Sequence, residues 1–443
     1  MANPNDRPSG FPVYRVDLQH TIRLNGGGQF DVSAYNFRKD NRYFFQDFGL
    51  YYDLWQDAGF SWRHQINGQL FGLQNRLVWG GLAQWLWIKD REYQPTSAST
   101  GLLRFYERDH WRNIEAYIQD QLNLTDDFTL VVGGQINYRS VSFQHEFPEL
   151  EPALKSPADQ DFFNVNPKMG FTWQINPKVQ VYGNVSRSSQ PPPLLDLKDI
   201  FQSPKLTSQT GTTVEIGTRG GDEILKWDFS VYHAWLNHEI LTVPIPPNFT
   251  NFNTTNAKNT VHTGLEIGLE STIPLDIITN NDKIRLRGSY TWSRFEFDND
   301  PKLGNNRLPG IPEHNGRFEV LYQHPHGFYF GPNVTAVSSN WVDFANTLSA
   351  RPYVLLGARI GWDDGKHWKV FVDGRNLTNE YYAASVYVTG DVNAPDPFGR
   401  GTVLFNPGAT RTELERERKR SQHARPSDTA SSHLGSRDAQ RTE

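Results

Sequence analysis

The chain has 443 residues, a net charge of −5, no cysteine, 13 tryptophans and 13% aromatic residues overall. With a mean hydropathy of −0.62, no apolar run approaches the 18 or so residues that a membrane helix needs, and no basic excess offers a surface for nucleic acid. Helical membrane proteins are excluded, but a transmembrane β-barrel is not, because its strands need apolar residues only at alternate positions and its polar lumen lowers the average.

The opening Met1–Gly10 has neither the basic start nor the apolar run of a secretion signal and is expected to be disordered. Strict alternation follows. Tyr14, Val16, Leu18, His20, Ile22 and Leu24 share one face, and Arg15, Asp17, Gln19, Thr21 and Arg23 the other, a strong strand signal. Asn25-Gly26-Gly27-Gly28 predicts a tight turn into a return strand through Phe30, Val32 and Ala34. Residues 40–58 read as a long aromatic loop. Strands are then predicted over about 59–66 and 75–89, separated by Asn67-Gly68 and followed by a loop to about residue 110.

Ile114 to Leu124 alternates, Thr125-Asp126-Asp127 turns the chain into Phe128 to Ile136, and a loop is expected over 143–162. Phe171, Trp173 and Ile175 lead through Asn176-Pro177-Lys178 into Val179 to Val185, and a proline-rich loop spans Gln190 to Gln209. Later pairs are Val214 to Val231 around Gly220-Gly221, Val261 to Leu269 with Ile284 to Trp292, Arg317 to Tyr322 with Tyr329 to Val337, and Val354 to Trp362 with Trp368 to Asn376. The alternation slips after Ser293, which predicts a bulge or the end of the bilayer band. On Val354 to Trp362 the even positions are expected to face lipid. Ala358→Arg should therefore harm assembly and Gly357→Arg be better tolerated.

This makes about sixteen strands and the start of a seventeenth, with short turns alternating with long loops. The fold class is all-β, an antiparallel transmembrane barrel with short periplasmic turns and long extracellular loops. A soluble, aromatic-rich carbohydrate-binding β protein is the alternative on composition, but a sandwich has no reason to alternate its loop lengths.

Catalysis has little support: no nucleophile elbow, phosphate loop or zinc-protease helix occurs, and neither a catalytic residue, a cofactor nor a metal site is expected. His324-Pro325-His326, Asp126-Asp127 and Asp363-Asp364 lie in predicted turns, where they serve the backbone better than a metal. Glu215, Arg219, Glu266, Arg285, Arg287, Asp373 and Arg375 fall on the inward face, where an interstrand charge ladder is expected.

Near the far end, Trp368 to Gly374 alternates into Arg375-Asn376-Leu377-Thr378-Asn379-Glu380-Tyr381-Tyr382, and Phe405-Asn406-Pro407-Gly408-Ala409-Thr410-Arg411 follows. With Pro167 to Ser188, Glu215 to Gly221 and Gly264 to Glu270, this resembles the barrel domain of TonB-dependent outer-membrane receptors over residues 11–411. The resemblance implies a 22-stranded barrel with a plug in the outer membrane of a Gram-negative bacterium. Such a barrel would import a ferric siderophore, cobalamin or a similarly bulky small-molecule ligand. Its implied partners are outer-membrane lipid, the TonB–ExbB–ExbD complex and the barrel-assembly machinery. Arg104, Tyr106, Trp341, Arg351 and Tyr387 are the loop residues expected to touch ligand. Against that pattern the plug, the first five or so strands and the closing strand are missing. Residues 412–443 form a polar tail of the composition that a frameshift just after Thr412 would leave. The chain is thus expected to be an incomplete barrel that does not transport alone, or one half of a split receptor with a plug-bearing partner.

Overall fold

The computed structural model describes residues 12–45, 49–93, 103–146, 159–197, 205–244, 252–389 and 402–409. The readings of residues 1–10 as disordered and of residues 412–443 as a polar tail lie outside the described residues. Ten strands come first: β1 (Val13–Arg23), β2 (Gln29–Phe45), β3 (Gly49–Leu70), β4 (Leu73–Tyr93), β5 (Leu103–Asn123), β6 (Phe128–Glu146), β7 (Gln160–Asn176), β8 (Val179–Gln190), β9 (Gln209–Gly221) and β10 (Leu225–Asn237). After a small hairpin, β11 (Ile240–Pro244) with β12 (Phe252–Asn256), come β13 (Asn259–Pro274), β14 (Lys283–Phe297), β15 (His314–Gln323) and β16 (Phe328–Val337). A pair β17 (Asn340–Trp341) and β18 (Ser349–Ala350) precedes β19 (Tyr353–Asp363) and β20 (Lys369–Gly374). The last hairpin joins β21 (Ala383–Thr389) to β22 (Thr402–Pro407).

Sixteen of these strands form one antiparallel sheet in chain order, β1 to β10, β13 to β16, β19 and β20, and the three short hairpins stand apart from it. Among the described residues no ladder joins β1 to β20. Sequential order follows from the short turns, since a tight turn leaves a strand no neighbour but the one just made. The residues leading into the Pro407-Gly408 pair form strand β22, which pairs with β21.

Several boundaries differ from the sequence reading. Asn67 and Gly68 stay inside β3, which reverses instead at Phe71 and Gly72, with φ of 55° and 79°. Positive φ at both central residues matches the twist of a two-residue hairpin, and Asn67 Nδ2 donates to the Gly27 carbonyl at 3.0 Å. The loops expected over 40–58, 89–110 and 143–162 give way to strand at residues 40–45, 49–58, 89–93, 103–110, 143–146 and 160–162: pairing continues through Tyr43↔Tyr51 to Phe45↔Gly49, β4 reaches Tyr93, and β6 reaches Glu146. Apolar alternation stops there, but cross-strand contacts continue, with Arg42 5.3 Å from the Tyr52 ring and Tyr52 edge-on to Tyr93 at 5.7 Å. No bulge occurs at Ser293. The β13–β14 register runs unbroken past it, Arg294 and Glu296 pair at 2.9 Å on the outward face, and His262 stacks on Phe295 at 4.0 Å on the inward one. The strand has left the apolar band.

The two faces differ in chemistry along each strand. Val354, Leu356 and Ile360 are 52%, 45% and 59% exposed on the outward face of β19, and Ile216 is 56% exposed on β9. Contiguous apolar exposure of this extent belongs against lipid. The expectation that Gly357 has room for a large side chain fails: a Cβ there would lie 2.6 Å from Asn333 Oδ1 and 2.9 Å from the Gly374 carbonyl. Asn333 is the better inward position, since it stands opposite Glu319 in the ladder. Ala358→Arg is expected to destabilise the sheet in lipid by about 2–4 kcal/mol and Asn333→Arg by far less. Urea unfolding of vesicle-inserted protein measures both, and equal losses would refute the assignment of faces.

Turn chemistry on the short-turn rim is legible atom by atom. Asp222 Oδ1 accepts the N–H groups of Ile224 and Leu225 at 2.9 and 3.0 Å, and Oδ2 lies 3.1 Å from Lys178 Nζ. Those backbone N–H bonds, with the Lys178 ammonium, draw the carboxyl pKa down to about 2 from the ordinary 3.8. A depressed folded value means that this carboxylate's contribution is fully present above the ordinary value and is lost as pH falls through the folded one. The stability advantage of the wild type over Asp222→Asn should therefore hold at pH 5 and shrink between about pH 4 and pH 2. Urea midpoints across that window check it; a pH-independent difference would contradict it.

Candidate functional site: the inward wall and the outer loops

Period-2 geometry places every second residue of β13 to β20 on the inward wall, and the antiparallel register lines their charges up across strands. Glu270 faces Arg287, and Arg287 faces Glu319. Glu270 accepts from Arg287 at 2.9 Å and from Arg285 at 3.3 Å. Arg359 bonds its ladder partner Asp373 and lies 3.8 Å from Glu319. Further round, Asn184 Nδ2 donates to Glu215 at 2.9 Å and Arg219 Nε to Gln180 at 2.8 Å. The expected charge ladder is present at Arg285, Arg287 and Asp373, whereas Glu215 and Arg219 bond neighbouring amides instead. At the short-turn end a cavity of about 690 Å³ is lined by Arg285, Arg287, Arg359, Lys366 and Lys369 with Glu319, Asp363 and Asp364. This end of the wall carries more cations than carboxylates, most of them held in ion pairs.

The turn residues do what turns require. His326 N–H donates to His324 Nδ1 at 3.1 Å, and Asp364 Oδ1 accepts from Lys366, His367 and Trp368 at 2.8 to 2.9 Å.

The other rim is built from loops that bind one another. Residues 298–313 and 338–352 are laced through Asn346, whose Oδ1 accepts from Arg307 N–H at 2.7 Å and whose Nδ2 donates to the Arg307 carbonyl at 3.0 Å. Asn306 Nδ2 donates to the Phe344 carbonyl, Gly310 N–H donates to the Trp341 carbonyl, and Leu308 and Val342 are buried beneath them. Trp341 and Arg351 therefore sit on one braced loop, Trp341 opposite Ser349 and Arg351 exposed just past it. Tyr106 lies elsewhere. It is opposite Arg91 on β4, and its ring is held by Arg91 at 5.2 Å and Arg108 at 4.7 Å, on the face of β5 away from the inward wall. The side chains of Arg104 and Tyr387 lie outside the described residues.

Sequence reasoning missed a second feature of the inward wall. After β8 the chain runs back over β5 to β7: Arg139 donates to the carbonyls of Pro191 and Pro192, and one turn of helix, α1 (Leu194–Leu197), brings Leu197 in with Leu206 against Val141, Phe143 and Phe162. Thr254 Oγ1 bonds Asp196 at 2.9 Å, tying this cover to β12. Beside it, Glu107, Asp109 and His145 converge, all buried. No metal group is expected from the sequence, because these positions read as loop; the extended β5 and β6 bring the three together.

A sequential antiparallel sheet with an apolar outward face, a charged inward face, short turns on one rim and braced loops on the other is the wall of a transmembrane β-barrel. The chain belongs to the TonB-dependent receptors, matching the family described as "TonB dependent receptor-like, beta-barrel" over residues 3–377. That family consists of receptors and transporters. Among solved structures, the unliganded ferric citrate transporter FecA superposes with a TM-score of 0.70 at 17% identity, over 90% of this chain and 60% of that one. The ferric yersiniabactin uptake receptor FyuA from Yersinia pestis gives 0.66 at 15% identity, over 91% and 61%. The ferripyoverdine receptor of the outer membrane of Pseudomonas aeruginosa gives 0.64 at 14%, over 90% and 54%. The likeness at these identities is one of fold, and the chain spans about 60% of the length of the first two.

Within the ladder, Arg359 is the keystone, because the Asp373 side chain is only 6% exposed and Glu319 only 9%. Arg359→Met is expected to cost about 3 kcal/mol by leaving both carboxylates without it, and adding Asp373→Asn should recover part of the loss. A double-mutant cycle in detergent measures the coupling; strict additivity would show that the pair is inert.

Proposed function

We propose that this barrel wall serves an outer-membrane receptor of a Gram-negative bacterium that imports a ferric siderophore or a similarly bulky chelate. The observation that carries the reading is the inward wall: a polar, cation-bearing surface inside an apolar-coated sheet of this family's fold. Receptors for ferric citrate and ferric yersiniabactin share that fold. Residues 11–411 form the barrel unit in this reading. The plug, the TonB–ExbB–ExbD complex and the barrel-assembly machinery are its partners, and outer-membrane lipid covers the outward face. Trp341 and Arg351 are proposed as ligand contacts because a braced loop can hold an aromatic face and a cation without ordering them on binding. The soluble carbohydrate-binding alternative has no use for the exposed apolar band and is set aside.

The test places this barrel, with plug and TonB box supplied, in a strain lacking its own ferric-chelate receptors. Radio-iron uptake from a panel of ferric siderophores is expected for at least one chelate and should vanish when TonB is deleted. Trp341→Ala and Arg351→Ala should each weaken binding of that chelate about tenfold, roughly 1.4 kcal/mol. Uptake that persists without TonB would overturn the energised-import reading, and unchanged binding in both variants would remove the ligand from this loop.

A further inference from the structure

We propose that Glu107, Asp109 and His145 form a divalent-cation site of the zinc class on the inward wall, beneath the outer rim. Glu107 and Asp109 are two apart on β5 and so share a face, while His145 stands directly opposite Glu107 on β6. The same ladder places Asp90 of β4 on the other flank of Glu107.

Geometry and composition both suit a cation. His145 Nε2 lies 3.1 Å from Asp109 Oδ1 and 3.7 Å from Glu107 Oε2, and one ligand atom from each of the three residues lies within 4.8 Å of the others. Tetrahedral ligands about 2.0–2.1 Å from a metal stand about 3.3 Å apart, between those two distances. A divalent cation placed among them would meet one lone pair from each of the three side chains. The three side chains are 6%, 0% and 1% exposed, so an ion held among them would be shielded from bulk water. One nitrogen and two carboxylate oxygens make the donor set of a three-ligand zinc site with a fourth position open. The imidazole is steadied edge-on by Phe105 and Phe143, each 5.7 Å away, an apolar shell that fixes its orientation.

Zinc chloride and cobalt chloride are the probes, added to the chain purified in detergent and stripped with a chelator. One equivalent of zinc should be retained, and cobalt should show the intense visible ligand-field absorption of a tetrahedral, imidazole-bound ion. Asp109→Asn and His145→Ala should lower zinc affinity at least tenfold and abolish that absorption, while Glu146→Ala, on the opposite face of β6, leaves both unchanged. Wild-type protein that retains no zinc and gives only the spectrum of aqueous cobalt would overturn the site, as would equal zinc binding by wild type, Asp109→Asn and His145→Ala. The wild-type cobalt spectrum decides even where a variant fails to assemble.

Discussion

Backbone pairing is the constraint on which everything else rests. In a hydrocarbon layer an unsatisfied N–H or C=O costs several kcal/mol, so a chain that crosses with strands must give each strand a neighbour on both sides. In the sixteen-stranded sheet every strand from β2 to β19 has its neighbour on both sides, while β1 and β20 have one each among the described residues. Side chains are then free to specialise. The outward half of each strand needs only to be apolar, and the inward half is released to carry charge, provided that neighbouring strands answer one another as Glu270, Arg287 and Glu319 do.

How much of this could be read in advance depended on which force set each feature. β1 and β19 were legible because burial against lipid imposes a period of two on hydrophobicity itself. Turns were legible where Asn, Asp and Gly must supply special backbone geometry, as at Asn25 to Gly28. Asn67-Gly68 misled for the same reason: the pair resembles a turn, yet an Asn inside a strand can spend its amide on a neighbouring carbonyl. The outer halves of β2 to β7 were misread because above the bilayer their strands are held by ladder bonds and ring contacts, which leave no hydrophobic period.

That misreading also hid the functional geometry. Asp109 and His145 are 36 residues apart and meet only because β5 and β6 run past the apolar band in register. Trp341 and Arg351 were found as candidates by residue type alone. Their shared bracing depends on Asn346 reaching across to Arg307 in another loop, a contact no local pattern announces. Cross-strand charge pairing was anticipated because alternation fixes which residues point inward, but the choice of partner follows from register.

The segment that turns back after β8 has a consequence for permeation. A barrel of many strands encloses a lumen far wider than a small solute, and strand number alone would set its bore. Here Pro191 to Leu197 and Leu206 occupy the inward side of β5 to β7 and are held there by Arg139 and by Asp196 bonded to Thr254. Part of the cross-section is thus filled by the wall's own chain. Beside β5 to β7 the inward surface is therefore the apolar underside of this cover rather than the bare strands, so strand number alone does not describe the space there.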